Sequence, residues 1–149
     1  MKWNLFCIIA TVVLFQMGAL CCHEWGHYVT AKLMGGGQVC VSYPHFFGGY
    51  CQFEHTPDNL WFVGFSGGGV ACIAFAFLWA MSHWSPTKWD IYVEFAAALI
   101  ATQQLGYGIV EIYTIQDKAS DLFYLVPLLA SIAIILPIYF KPLLRLLKL

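Results

Sequence analysis

The chain has 149 residues, 60% of them hydrophobic and only 10% charged, with a formal net charge of −1. A soluble domain carries about 25% charged residues, so this composition excludes a chain that covers its whole outside with polar groups and leaves lipid as the surrounding solvent. The near-neutral charge excludes a nucleic-acid partner, because no basic stripe exists to neutralise phosphates.

Four stretches are long and apolar enough for a bilayer, which takes roughly 20 residues. They run from Trp3 to Met34, Leu60 to Ser82, Ile91 to Ile115, and Leu122 to Phe140. No repeat or low-complexity segment divides them. The expected fold is an all-α membrane protein of about four transmembrane helices, with a small β-hairpin between the first and second, forming one domain over residues 1–149.

Lys2 ahead of an apolar run is also the layout of a secretory signal peptide. Cleavage after Cys22 would leave His23 at a new N-terminus and destroy its helical pairing with His27. The apolar run continues past that point, so the segment reads as a span.

Near the end of this span stands His23-Glu24-Trp25-Gly26-His27. Histidines four apart on a helix project from one face, one turn apart. That spacing lets two imidazole nitrogens bind one Zn2+ ion at about 2.0–2.1 Å. Glu24 adjoins the first ligand and reaches a metal-bound water rather than the metal. Zinc lowers the pKa of that water to near 7, and the carboxylate takes its proton. Ionisable side chains in an otherwise lipid-compatible segment are costly and usually functional. Gly26 leaves one side of the helix bare for close approach. Cys21 and Cys22 adjoin the motif and read as apolar packing.

Gly35-Gly36-Gly37 should end the first helix, since glycine supplies left-handed cap geometry. Val39, Val41 and Tyr43 then alternate with other residues, and Tyr50 to Phe53 is a second β-prone run. Pro44 and Gly48-Gly49 stand between them as turn material. On an extracytoplasmic hairpin, Cys40 and Cys51 would be candidates for a disulfide. No Cys-x-x-Cys pair occurs among the six cysteines, so zinc-ribbon and thioredoxin spacings are absent. His45, His55 and His83 fall in connecting segments, with no partner at metal-ligand spacing.

Lys2, Lys88, Lys141, Arg145 and Lys148 share the side of both termini, against Lys32 and Lys118 on the other. The positive-inside rule places both termini in the cytoplasm of an integral membrane protein, with the cell membrane as the expected location.

The motif at the end of an apolar helix resembles the site-2 protease family of intramembrane zinc metalloproteases. Ser66-Gly67-Gly68-Gly69 in the second span is similar to that family's small-residue motif, and the hairpin matches a family feature. The likeness covers residues from about 15 to 125, and only the five-residue motif is specific. It implies a zinc metalloendopeptidase with Glu24 as catalytic base, His23 and His27 as ligands, and an aspartate ligand in a later span. The Asn-Pro-x-Pro and Leu-Asp-Gly runs that surround that aspartate in the family are absent. Family members also place the site nearer the cytoplasm, whereas the charge count puts it toward the other face.

Spans one and three run parallel, so the far end of span three returns to the motif. Glu111, Asp117 and Asp121 fall near that level. Asp121 follows Ser120 and opens the fourth helix, a setting similar to the family's ligand, although such positions favour a helix-capping carboxylate anyway. Asp121 ranks ahead of Asp117, with Glu111 third as a partner orienting a histidine beside Gln104 and Tyr107. Gln103 and Gln104 in mid-span suit either a substrate carbonyl or interhelical hydrogen bonds.

The expected activity is peptide-bond hydrolysis of membrane-associated protein or peptide substrates, with selectivity from the hairpin, the loops or a partner subunit. The alternative is a non-catalytic metal-binding or scaffold protein of the same fold. A membrane di-iron oxygenase needs many more histidines than the five present.

Overall fold

The computed structural model describes residues 2–45, 48–84, 90–114 and 125–147. Their order is α1 (Lys2–Leu33), β1 (Val39–His45), β2 (Gly48–Phe53), α2 (Leu60–His83), α3 (Asp90–Thr114) and α4 (Leu125–Leu147). All four helices are long and apolar enough to cross a membrane. Large apolar side chains such as Phe6, Leu14, Ile73, Phe77, Leu129 and Ile138 lie on the outside, as a lipid solvent requires.

The helix ends follow local chemistry. At the end of α1, the Gly36 amide donates to the Ala31 carbonyl at 2.8 Å while Gly35 holds φ of +80°. This six-to-one bond around a left-handed residue is a Schellman stop. Asn59 opens α2, its side-chain oxygen accepting from the Phe62 amide at 3.0 Å. Helix α4 continues to Leu147, past the expected end at Phe140, with Pro137 and Pro142 inside it. The apolar run ends near Lys141, and the helix continues through Pro142 although a proline there removes one backbone donor.

The hairpin is antiparallel, pairing Val39 with Phe53, Cys40 with Gln52 and Val41 with Cys51. Pro44 and Gly48-Gly49 belong to the strands rather than to the turn. The register is irregular between Ser42 and His45, which is where a strand tolerates proline. The register also overturns the expected disulfide. Cys40 shares a face with Gln52, and Cys51 shares the opposite face with Val41, so the two thiols point apart and both are free. Cys40 and Gln52 are exposed, whereas Val39, Val41, Cys51 and Phe53 are half-buried. The hairpin packs on α1 through that second face.

Helix α3 is the centre of the bundle, packed against α1, α2 and α4. Ala19, Phe75, Ala97 and Ile100 form a buried cluster among α1, α2 and α3. Phe95, Leu99, Ile135 and Leu143 join α3 to α4, with Ile8 and Val12 of α1 against them. Glycine sets the closest contacts. A side chain at Gly68 would run into the main chain of Gln104 and Gly108, and one at Gly26 into the Ser66 carbonyl. In a bilayer, where helices gain little by hiding apolar surface, such close approach is what holds them together.

Candidate metal centre

Three helices bring their polar residues to one place. His23 and His27 lie one turn apart on α1, and α3 runs parallel to α1, so its last turns bring Glu111 to them. The His23 Nε2 atom is 2.8 Å from Glu111 Oε1, and His27 Nε2 is 3.3 Å from Glu111 Oε2. The two Nε2 atoms are 3.1 Å apart. Among the described residues, these three form a group able to hold a metal ion, each offering one ligand atom.

The other face of each ring is anchored. His23 Nδ1 donates to Gln104 Oε1 at 2.8 Å, and His27 Nδ1 donates to the Val63 carbonyl at 2.7 Å. Both acceptors are oxygens, so each Nδ1 carries a proton, and Nε2 offers its lone pair to a metal whenever the ring is neutral. Two imidazole nitrogens and a carboxylate therefore converge on one point. A positive species at its centre satisfies such a set, either a proton on an imidazole or a metal ion.

Glycine makes this arrangement possible. A side chain at Gly67 would occupy the position of the His27 imidazole. Ser66 Oγ shares its one hydrogen between the Val63 carbonyl of its own helix at 2.7 Å and the Gly26 carbonyl of α1 at 3.2 Å. The Ser66-Gly67-Gly68-Gly69 run thus packs α1 on one side, packs α3 on the other, and leaves the gap the ring fills.

Glu24 is 3% exposed, and its Oε2 is buried without a hydrogen-bond partner. It is not in the ligand group. The hairpin lies near it: burial, and then the charge of Glu24, push the Cys51 thiol up to about 11.

Asp117 and Asp121, ranked ahead of Glu111 on the sequence, lie outside the described residues. Gln104 is turned to His23. Gln103 donates to the Tyr107 hydroxyl at 3.2 Å, an interaction within α3. His83, expected in a connecting segment, is the last residue of α2 and bonds Glu94 Oε1 at 2.9 Å. Glu94 also accepts from the Tyr139 hydroxyl at 2.8 Å, and Tyr139 accepts from the Trp79 indole at 2.9 Å. The sequence reading passed over this second cluster; an ionisable residue inside a span was the signal that pointed to it.

Comparison of the chain with protein-family models, with characterised proteins and with solved structures finds no match in any of the three.

Proposed function

We propose that this protein is a zinc-dependent endopeptidase working within the bilayer on membrane-associated proteins or peptides, allied to the site-2 proteases. The observation that carries this reading is the convergence of His23 Nε2, His27 Nε2 and the Glu111 carboxylate beside a buried, unpartnered Glu24. Two imidazoles and a carboxylate are a donor set that zinc enzymes use, and a fourth position stays open for chemistry. Zinc bonds of about 2.05 Å imply ligand-to-ligand edges of about 3.3 Å in a tetrahedron. The Nε2–Nε2 separation of 3.1 Å is close to that edge, and one ligand atom from each of the three residues lies within 4.8 Å of the others.

A bound zinc ion would supply the Lewis acidity that activates water and polarises the scissile carbonyl. The chain's own residues do the rest. His23 and His27 hold the ion, their orientation set by Gln104 and Val63. Glu111 adds the third donor and one negative charge. Glu24, next to His23 in sequence but outside the ligand group, takes the proton from water through its unpartnered oxygen and returns it to the leaving amine. The two carboxylates together balance a divalent cation, so the loaded site carries no net charge into the lipid. The lysine and arginine distribution supports a location in the cell membrane with both termini on the cytoplasmic side.

The test is cleavage of membrane-anchored substrates by the chain reconstituted in liposomes. Glu24→Gln is expected to abolish turnover while zinc stays bound. A second reading, a non-catalytic metal-binding scaffold, draws on the direct contacts of Glu111 with both histidines, which tie α1 to α3 by themselves. It predicts that Glu24→Gln changes nothing measurable.

A further inference from the structure

We infer that Gln104 is the positioning residue that presents His23 to the cation, an inference that rests on the metal-dependent reading above. A neutral imidazole has one N–H and one lone pair, and only the lone pair binds metal. The acceptor behind the ring therefore decides which nitrogen faces the site. For His27 that acceptor is the Val63 main-chain carbonyl, fixed by the backbone of α2. For His23 it is a side chain, the Gln104 oxygen at 2.8 Å.

Three features make Gln104 suited to this task. It is 2% exposed, so water has little access to replace it as acceptor. Its main chain is seated against α2, because Gly68 lets the two backbones meet there. It also orients the ring without adding charge. Histidine ligands are often oriented by a carboxylate. Here Glu24 and Glu111 already match a divalent cation, and a third negative group within a span would be costly.

The neighbouring Gln103 supplies the control. It is buried to a similar degree, at 4% exposed, but its amide donates to Tyr107 rather than to a ligand. Loss of a buried amide as such would affect both positions alike. A positioning role affects only residue 104.

The experiment is titration of the detergent-purified full chain with Co2+, followed by its visible absorption, alongside Zn2+ calorimetry and helical circular dichroism. Gln104→Leu and the similarly sized Gln104→Met are expected to weaken metal binding about 10–100-fold. Gln104→Glu restores the acceptor and should bind more tightly than Gln104→Met, while its third buried carboxylate lowers the stability of the metal-free chain. Gln103→Leu should bind like the wild type. If Gln104→Leu fails to fold, Gln104→Met carries the comparison. Wild-type affinity in the folded Gln104→Met variant, an equal loss in Gln103→Leu, or no recovery in Gln104→Glu overturns the inference. Absence of any cobalt or zinc uptake by the folded wild type overturns the metal-dependent reading itself, and this inference with it.

Discussion

Two clusters built around a glutamate and histidine stand near opposite ends of α3, and they differ in one respect. Glu94 and Glu111 are about 25 Å apart along the helix at about 1.5 Å per residue. Around Glu94, His83 and Tyr139 donate to the same carboxylate oxygen, and the Trp79 indole donates to the Tyr139 hydroxyl. Hydrogens and oxygens there are matched. Around Glu111, both Nδ1 atoms are engaged by Gln104 and Val63, and both Nε2 atoms face the one carboxylate. Oxygens of Glu111 and Glu24 are left buried and without hydrogen-bond partners. The lesson is that residue type does not identify a metal site in a membrane. How ring nitrogens and carboxylate oxygens are arranged, and which buried oxygens lack partners, separates the candidate site from the other cluster.

The comparison can be broken first at its ligands, where the largest effect is expected. His27→Ala should abolish stoichiometric zinc binding, whereas His83→Ala should leave it intact; metal analysis of the purified variants decides. If both lose zinc equally, the two clusters are not different in kind.

The next largest effect concerns the packing that makes room for the site. Gly67→Ala places a methyl group where the His27 ring lies. Overpacking of this sort costs about 1–3 kcal/mol, and here the ring must leave its ligand position. Zinc affinity should fall more than tenfold, with a lowered melting temperature.

A smaller effect sharpens the other half of the comparison. Tyr139→Phe removes the hydroxyl that joins α4 to α3 and α2. A hydrogen bond to a charged acceptor contributes about 1.5–3 kcal/mol, so the variant should unfold at lower denaturant with its zinc content unchanged.

The least disruptive test needs no loss of structure. Cys51 lies on the α1 side of the hairpin, and its thiol is pushed up to about 11 by burial and by Glu24. Only the thiolate reacts, so at neutral pH its alkylation should be at least ~100-fold slower than that of an ordinary exposed thiol. The rate should climb with pH through this range. Glu24→Gln removes the second of those causes and should speed the reaction.

Much of this was legible in the sequence, for identifiable reasons. Span length and apolar content mark four helices, and Gly35-Gly36-Gly37 marks where the first one stops. The four-residue spacing of His23 and His27 is enough to put both rings on one face, and the parallel run of α1 and α3 brings the end of α3 back to them. The position of Glu111 was harder to read. Whether residue 111 faces α1 depends on the rotation of α3 about its own axis, which is set by the contact of Gly68 with Gln104 and Gly108. No pattern within α3 records that contact. Strand register was hidden in the same way: a shift of one residue turns Cys51 from one face to the other. The Glu94 cluster was only half legible: a glutamate within a span flags it, but Tyr139 meets Glu94 from 45 positions away, through the packing of α4.

The central claim is that His23, His27 and Glu111 hold one divalent cation. Its most direct test is the metal content of the purified chain beside Glu24→Gln, His27→Ala, Glu111→Gln, Asp117→Ala and Asp121→Ala. The account predicts about one zinc per chain in the wild type, Glu24→Gln and both aspartate variants, with loss in His27→Ala and Glu111→Gln. Zinc retained in Glu111→Gln but lost in an aspartate variant, or no zinc in the folded wild type, would contradict it.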